Sequence, residues 1–200
     1  MDGIAWAASA MIAARSRLDI ATDNLANASS DGFRRHSARG RLSSNGARIE
    51  RIESSEQGAL RRTGRPFDLA LVGPGDFSVR DLSGRVVRTR SGAYTRDRFE
   101  RLRDDAGRVL LGVGGPVRVA AGATVEADGS VRKDGVVLDR LALPAGTTVR
   151  SGFIESANVN AITEMVDVLT AQRSFESAQK VLSAIDATRQ KSSDDLARLK

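Results

Sequence analysis

Residues 4–28 read IAWAASAMIAARSRLDIATDNLANA, and the spacing within this stretch decides the architecture. Ile4, Met11, Leu18 and Leu25 recur every seven residues, and Ala7, Ala14, Ala21 and Ala28 follow each of them by three. On an α-helix these positions form two adjoining rows, so the stretch predicts a helix with a narrow, small-residue seam. Alanine is a good helix former anywhere, but four alanines on one row beside four large apolar residues favour a packing role. Asp2 is a fair N-cap and Ala28-Ser29-Ser30-Asp31-Gly32 supplies stop residues, which sets the helix at about Asp2 to Asn27, roughly 40 Å long.

The far end of the chain carries the matching pattern. Val168, Phe175, Leu182 and Leu196 share one heptad row, interrupted by Arg189, and Ala171, Ala178, Ile185 and Leu199 lie on the row three residues later. Asn160 is a suitable N-cap, and Glu164 in the first turn places a negative charge at the positive end of the helix dipole. A helix from Ala161 to near Leu199 would be roughly 58 Å long. Each stripe is too narrow to close a core alone, so the two ends must pair with each other or with neighbouring copies. The pattern points to assembly and not to catalysis.

Between the helices the period changes. Residues 33–60 are polar, with Ser43, Ser44, Asn45 and Gly46 reading as a turn between two extended arms that a partner helps to order. From Gly64 to about Pro144, short apolar runs closed by glycine read as strands: 67–72, 77–79, 109–111, 117–119 and 136–138. Asp128-Gly129 and Asp134-Gly135 flank Val131 and predict two tight hairpins in series. The fold class is therefore α+β, with long N- and C-terminal helices pairing as a coiled coil plus a small, mainly antiparallel β domain. The division is an N-terminal helix over 1–32, an extended and partly disordered connector over 33–62, a β domain over 63–150 and a C-terminal helix over 151–200.

Composition narrows the function classes. The chain has 200 residues, a formal charge of +6 and no cysteine, which excludes a disulfide framework and a thiolate metal site. Its arginines are scattered without aromatics between them, unlike a nucleic-acid surface, so no nucleic-acid partner is expected. No run of eighteen apolar residues is present to span a bilayer, and Arg15 and Arg17 interrupt what a signal peptide would need as its apolar region. His36 is the only histidine and reads as a loop residue, and Asp104-Asp105 before Gly107 reads as a solvated turn. The loops Gly73-Pro74-Gly75 and Gly112-Val113-Gly114-Gly115 lack the residues of a phosphate cradle. No catalytic residues, metal ligands or cofactor are expected.

Four stretches, in order, resemble the bacterial flagellar rod and hook family. Residues 18–34, with Asn24-Leu25-Ala26-Asn27 closed by Gly32-Phe33-Arg34, are similar to its N-terminal motif. Residues 63–79 resemble the opening of its β domain, with Asp76 where the family favours Phe. Arg88-Thr89-Arg90-Ser91-Gly92-Ala93-Tyr94 and the turn Asp104-Asp105-Ala106-Gly107 resemble its Tyr-Thr-Arg-x-Gly-x-Phe stretch, with Arg88 in place of the aromatic. Residues 155–176, from Asn158-Val159-Asn160 to Gln172-Arg173-Ser174-Phe175-Glu176, resemble its C-terminal motif.

The resemblance implies a structural, self-assembling subunit of the basal-body rod, of the FlgF/FlgG type, which transmits torque from motor to hook. It implies that the terminal helices line an inner tube with the β domain outside, that copies of itself and other rod and hook proteins are the partners, and that export runs through the flagellar type III apparatus to a periplasmic rod without a cleaved signal. The expected assembly residues are Ile4, Ala7, Met11, Ala14, Leu18, Ala21, Asn24, Leu25 and Asn27 from one end, and Val168, Ala171, Arg173, Phe175, Ala178, Leu182 and Ile185 from the other. A non-polymerising binding or capping module on the rod or cell wall is the alternative, kept open by Asp76 and Arg88. A rod-attached muramidase lacks a supported acid pair.

Overall fold

The computed structural model describes residues 3–43 and 46–198, and side chains within 3–41 and 49–192. Helix α1 is Gly3–Ala26, and the hairpin of β1 (His36–Ser43) and β2 (Gly46–Glu53) follows it. Then come β3 (Leu60–Arg62), β4 (Leu69–Val72), β5 (Phe77–Arg80), β6 (Val86–Thr89), β7 (Thr95–Arg96), β8 (Leu102–Arg103), β9 (Val109–Gly112) and β10 (Gly115–Pro116). The rest are β11 (Thr124–Val125), β12 (Ser130–Lys133), β13 (Val136–Arg140), β14 (Thr148–Ser151), β15 (Phe153–Glu155) and α2 (Ala161–Arg198). Two long helices in contact and several small antiparallel sheets make this an α+β chain. The expected N-cap Asp2, the turn residues Ser44 and Asn45, and Leu199 lie outside the described residues, as does the side chain of Leu196.

The first of two compact units joins α1, the β1–β2 hairpin and α2. The hairpin is antiparallel in unbroken register from His36 opposite Glu53 to Ser43 opposite Gly46. Asn160 caps α2 as its position predicts, its Oδ1 accepting the backbone N–H of Ile162 at 3.0 Å and of Thr163 at 3.2 Å. Among the described residues no helix is long and apolar enough to cross a membrane.

The second unit comprises residues 28–34 and 55–158. One sheet runs in the order β6-β5-β9-β8-β7, with β10 paired to β9, and another runs β11-β12-β13. Alternation builds the core: Phe77 and Val79 of β5 are buried while Ser78 and Arg80 face outward. Phe77 meets Tyr94 edge-on, with ring centroids 5.6 Å apart, among Leu69, Leu71, Leu102 and Leu110. Each such side chain contributes about 1.5–3 kcal/mol on full burial. Burial, with a smaller push from Asp104, raises the Tyr94 hydroxyl above its ordinary pKa, and the hydroxyl donates to the carbonyl of Ser91.

The expected strand at 117–119 is corrected to a single bridge, Arg101 opposite Arg118. Pro116 removes a ladder donor, and Val117 divides its bonds, donating to Leu110 O at 2.9 Å and accepting from Leu102 N at 3.3 Å. The two hairpins flanking Val131 form as expected, the second with Asp134 and Gly135 both at positive φ, 50° and 81°.

Four hairpin loops share one backbone plan. In 81–85, 97–101, 104–108 and 126–130 the first residue's N–H bonds the fifth residue's carbonyl, and the fourth residue's N–H bonds the first residue's carbonyl. The fourth residue is left-handed in each: Gly84, Glu100, Gly107 and Gly129. Asp81, Asp97 and Asp104 add a clasp, each accepting the N–H and the guanidinium Nε of the arginine four residues on. The acids at 104 and 105, read from sequence as a solvated turn, are therefore in part a buried clasp, because Asp104 points inward to Arg108.

Candidate assembly interface

Two contacts fix how α1 and α2 lie. Asn24 near the end of α1 bonds Glu164 near the start of α2, and a side chain at Gly3 would stand 3.5 Å from Ile185. Antiparallel helices running from one contact to the other place Ala21 opposite the level of Val168, Ala14 opposite that of Phe175 and Ala7 opposite that of Leu182. Small residues on α1 thus meet large ones on α2. Ala7, Ala14 and Ala21 are buried, and Ala171 is buried among half-buried Val168, Phe175, Ala178, Leu182 and Ile185.

The wide end of this pair is closed by polar groups. Asn24 has no exposed surface: its Nδ2 donates to Glu164 Oε2 at 3.0 Å and to His36 O at 2.7 Å, and its Oδ1 accepts from His36 N at 2.8 Å. Glu164, 1% exposed, also accepts from Arg35 Nε, and Arg35 reaches Asp167 at 3.3 Å. Asp23 collects Arg51 at 2.6 Å and lies 3.5 Å from His36 Nδ1. A buried carboxylate costs free energy unless paired and hydrogen-bonded, and here Asn24 of α1 and Arg35, just before β1, supply that pairing to Glu164 of α2. The joint therefore locks three elements into one register.

Helix α2 carries a second apolar row. Ile162, Met165, Val166 and Leu169 are all exposed, Ile162 at 75% and Leu169 at 57%. At 3.6 residues per turn they lie on the side of α2 opposite the row of Glu164, Val168, Ala171 and Phe175. Trp6 and Ile12 are exposed on α1. Below Ile185 the helix runs on past the level of Gly3, and Val181, Ala184, Ile185, Thr188 and Arg189 line a hollow of about 370 Å³ there.

Comparison with known proteins matches this geometry at both ends. The family "Flagella basal body rod protein" matches residues 4–34, and "Flagellar basal body rod FlgEFG protein C-terminal" matches residues 150–195. The chain is 28% identical to the flagellar basal-body rod protein FlgF of Mesorhizobium japonicum, covering 90% of this chain and 92% of that protein. It is 24% identical to the rod protein FlgG of Caulobacter vibrioides, covering 93% and 96%. It is 35% identical to the flagellar hook protein FlgE of Brucella abortus over 58% of this chain and 32% of that one.

This chain belongs to the flagellar basal-body rod protein family.

The family is structural and not enzymatic, and in this rod-family chain the residues read from sequence fall into three groups. Ala7, Ala14, Ala21, Val168, Ala171, Phe175, Ala178, Leu182 and Ile185 lie on the inner seam, with Ile4, Met11, Leu18 and Leu25 half-buried. Asn24 bonds within the chain, and Asn27 turns back on α1, its Nδ2 donating to Asp23 O at 2.9 Å. Arg173 is exposed on the outer side with Val166 and Leu169, away from the seam.

Sequence reasoning passed over Ala13 and Ile20, both buried, and the outer row. Counting from Ile162 in steps of three and four would have found that row. The Asn24–Glu164 bond spans 140 residues and has no local signal.

Two motif residues gain a reason from packing. Gly32 stands at φ 70°, and a β-carbon there would come within 2.3 Å of Ser91 N, so any side chain is excluded. Asp76 lies 3.5 Å from buried Arg90 and 4.0 Å from Arg34, so its carboxylate meets two guanidiniums.

Proposed function

We propose that this chain is a self-assembling structural subunit of the basal-body rod, in which the α1–α2 pair packs through its outer row against copies of itself and against other rod and hook proteins. The observation that carries this reading is the apolar row Ile162, Met165, Val166 and Leu169, uncovered on a helix whose opposite face is already satisfied. Apolar side chains at helical spacing on one side gain about 25 cal/mol for each Å² removed from water, which the monomer leaves unrealised there. Arg173 on the same side supplies a charge for an intersubunit ion pair. Torque passes through many repeated helix contacts of this kind.

Export through the flagellar type III apparatus to a periplasmic position, without a cleaved signal, completes the reading. It is supported by family membership and by the absence of cysteine, which leaves no disulfide to form before assembly. In this reading terminal helices over 1–32 and 151–200 flank a connector over 33–62 and a β domain over 63–150.

The test is assembly of the purified chain followed by sedimentation and electron microscopy. Val166→Asp with Leu169→Asp is expected to abolish rods or filaments while far-ultraviolet circular dichroism of the monomer stays unchanged. Deletion of 161–200 is expected to abolish rods as well, with loss of helical signal, and to leave the β sheets of residues 55–158 folded. Assembly by the deleted chain would overturn the proposal.

A further inference from the structure

Loop 97–101 departs from its three siblings in ways the turn does not require. At the second to fourth positions the siblings carry Leu82-Ser83-Gly84, Asp105-Ala106-Gly107 and Ala127-Asp128-Gly129, whereas this loop carries Arg98-Phe99-Glu100. Glu100 takes the left-handed position, φ 64°, which glycine fills in the other three. Phe99 is 53% exposed at the tip, with the guanidiniums of Arg98 and Arg101 at 4.7 and 4.8 Å from its ring centre. Arg101 is committed to Asp97, while the described ion pairs give Arg98 no carboxylate. The loop holds an aromatic ring out in water with a stacked cation that has no carboxylate partner among the described ion pairs, on a left-handed backbone position.

The same unit contains an open cleft of about 1250 Å³. Pro74, Leu143 and Pro144 give it an apolar wall, and Asp76, Asp128, Arg88 and Arg140 give it charge. Asp128 is the accessible acid: its side chain is 53% exposed and its partner Arg140 is held only at 3.4 Å. An incoming arginine can take that place, while Arg88 disfavours the reversed orientation by like-charge repulsion.

We infer that loop 97–101 of one copy seats in this cleft on a second copy, with the Phe99 ring on the proline–leucine wall and Arg98 against Asp128. The inference rests on the rod-subunit reading and adds a second contact to it. Loop and cleft are different surfaces of one chain, so the contact is head-to-tail and leaves a free loop at one end and a free cleft at the other. Such contacts propagate into open helical arrays.

The absence of native cysteine makes the test direct. Full-length Glu100→Cys and Ala142→Cys chains, the former altered in the loop beside Phe99 and the latter in the cleft lining, are mixed under mild oxidation, and a disulfide-linked heterodimer is expected. Leu82→Cys, at the tip of the sibling loop 81–85, is expected to give no more than random trapping with Ala142→Cys. Phe99→Ala in the Glu100→Cys chain is expected to lower trapping about five-fold, the size of an anchor residue's loss. Heterodimer no more abundant than the Leu82→Cys control, or indifferent to Phe99→Ala, overturns the inference. Val166→Asp with Leu169→Asp separates the two readings. Trapping that persists while rods vanish supports both contacts, rods without trapping remove the loop contact alone, and rods that survive those helix changes remove the helix reading alone.

Discussion

Asn24 uses both amide hydrogens and its carbonyl oxygen inside the helix unit, two of the bonds going to the backbone of His36 and one to Glu164 of α2. Asn24→Ala leaves the backbone of His36 and one oxygen of Glu164 without those bonds, so a loss of about 3 kcal/mol is expected. Chemical denaturation followed through Trp6, the only tryptophan and a residue of α1, reads it. Glu164→Gln keeps an acceptor for Asn24 but removes the charge facing Arg35, and about 1–2 kcal/mol is expected from the same measurement. Glu100 offers the opposite case. Glu100→Gly relieves a left-handed side-chain-bearing residue at an exposed loop and is expected to raise stability by about 1 kcal/mol, a rise in melting temperature of a few degrees.

At the scale of elements, the Asp-x-x-x-Arg clasps make the hairpins acid-sensitive. The Ser83 hydroxyl and the backbone N–H of Arg85 hold Asp81 below the usual carboxylate range. At Asp97 burial pushes upward, and the backbone and side chain of Arg101 outweigh it. Ser130 lowers Asp128 through its hydroxyl and its N–H. Groups depressed in the folded state add stability that is fully present above the unfolded carboxylate value of about 4 and is lost as pH falls through their lower folded values. Melting temperature is therefore expected to be flat with respect to these groups from pH 7 to about 5, then to fall below about 4, and Asp81→Asn is expected to flatten that fall.

These clasps were written openly in the sequence, as Asp81 to Arg85, Asp97 to Arg101 and Asp104 to Arg108, but a four-residue spacing carries meaning only once strands flank it. The α2 seam was legible in full from Val168 to Ile185, because a seven-residue period survives without knowledge of the partner. The arms flanking Ser44 and Asn45 were read as extended, but their pairing was not legible: β1 and β2 are rich in arginine and glutamate and show no apolar alternation from which to read a register.

Across the whole molecule, the two units differ in what holds them. The β unit has a closed cluster around Phe77, whereas the helix unit relies on a narrow alanine seam and a polar joint. Trp6 reports the helix unit, and Tyr94, the only tyrosine, reports the β unit. Trp6 fluorescence is expected to change at lower denaturant than near-ultraviolet circular dichroism of Tyr94, and coincident transitions would count against this difference. Helix α2 itself has inward and outward apolar rows that share no residue. Amino-acid changes on it should accordingly sort into two heritable classes, one that shortens the lifetime of the lone polypeptide and one that spares it but stops growth of the polymer, so each property is open to adjustment without trading away the other.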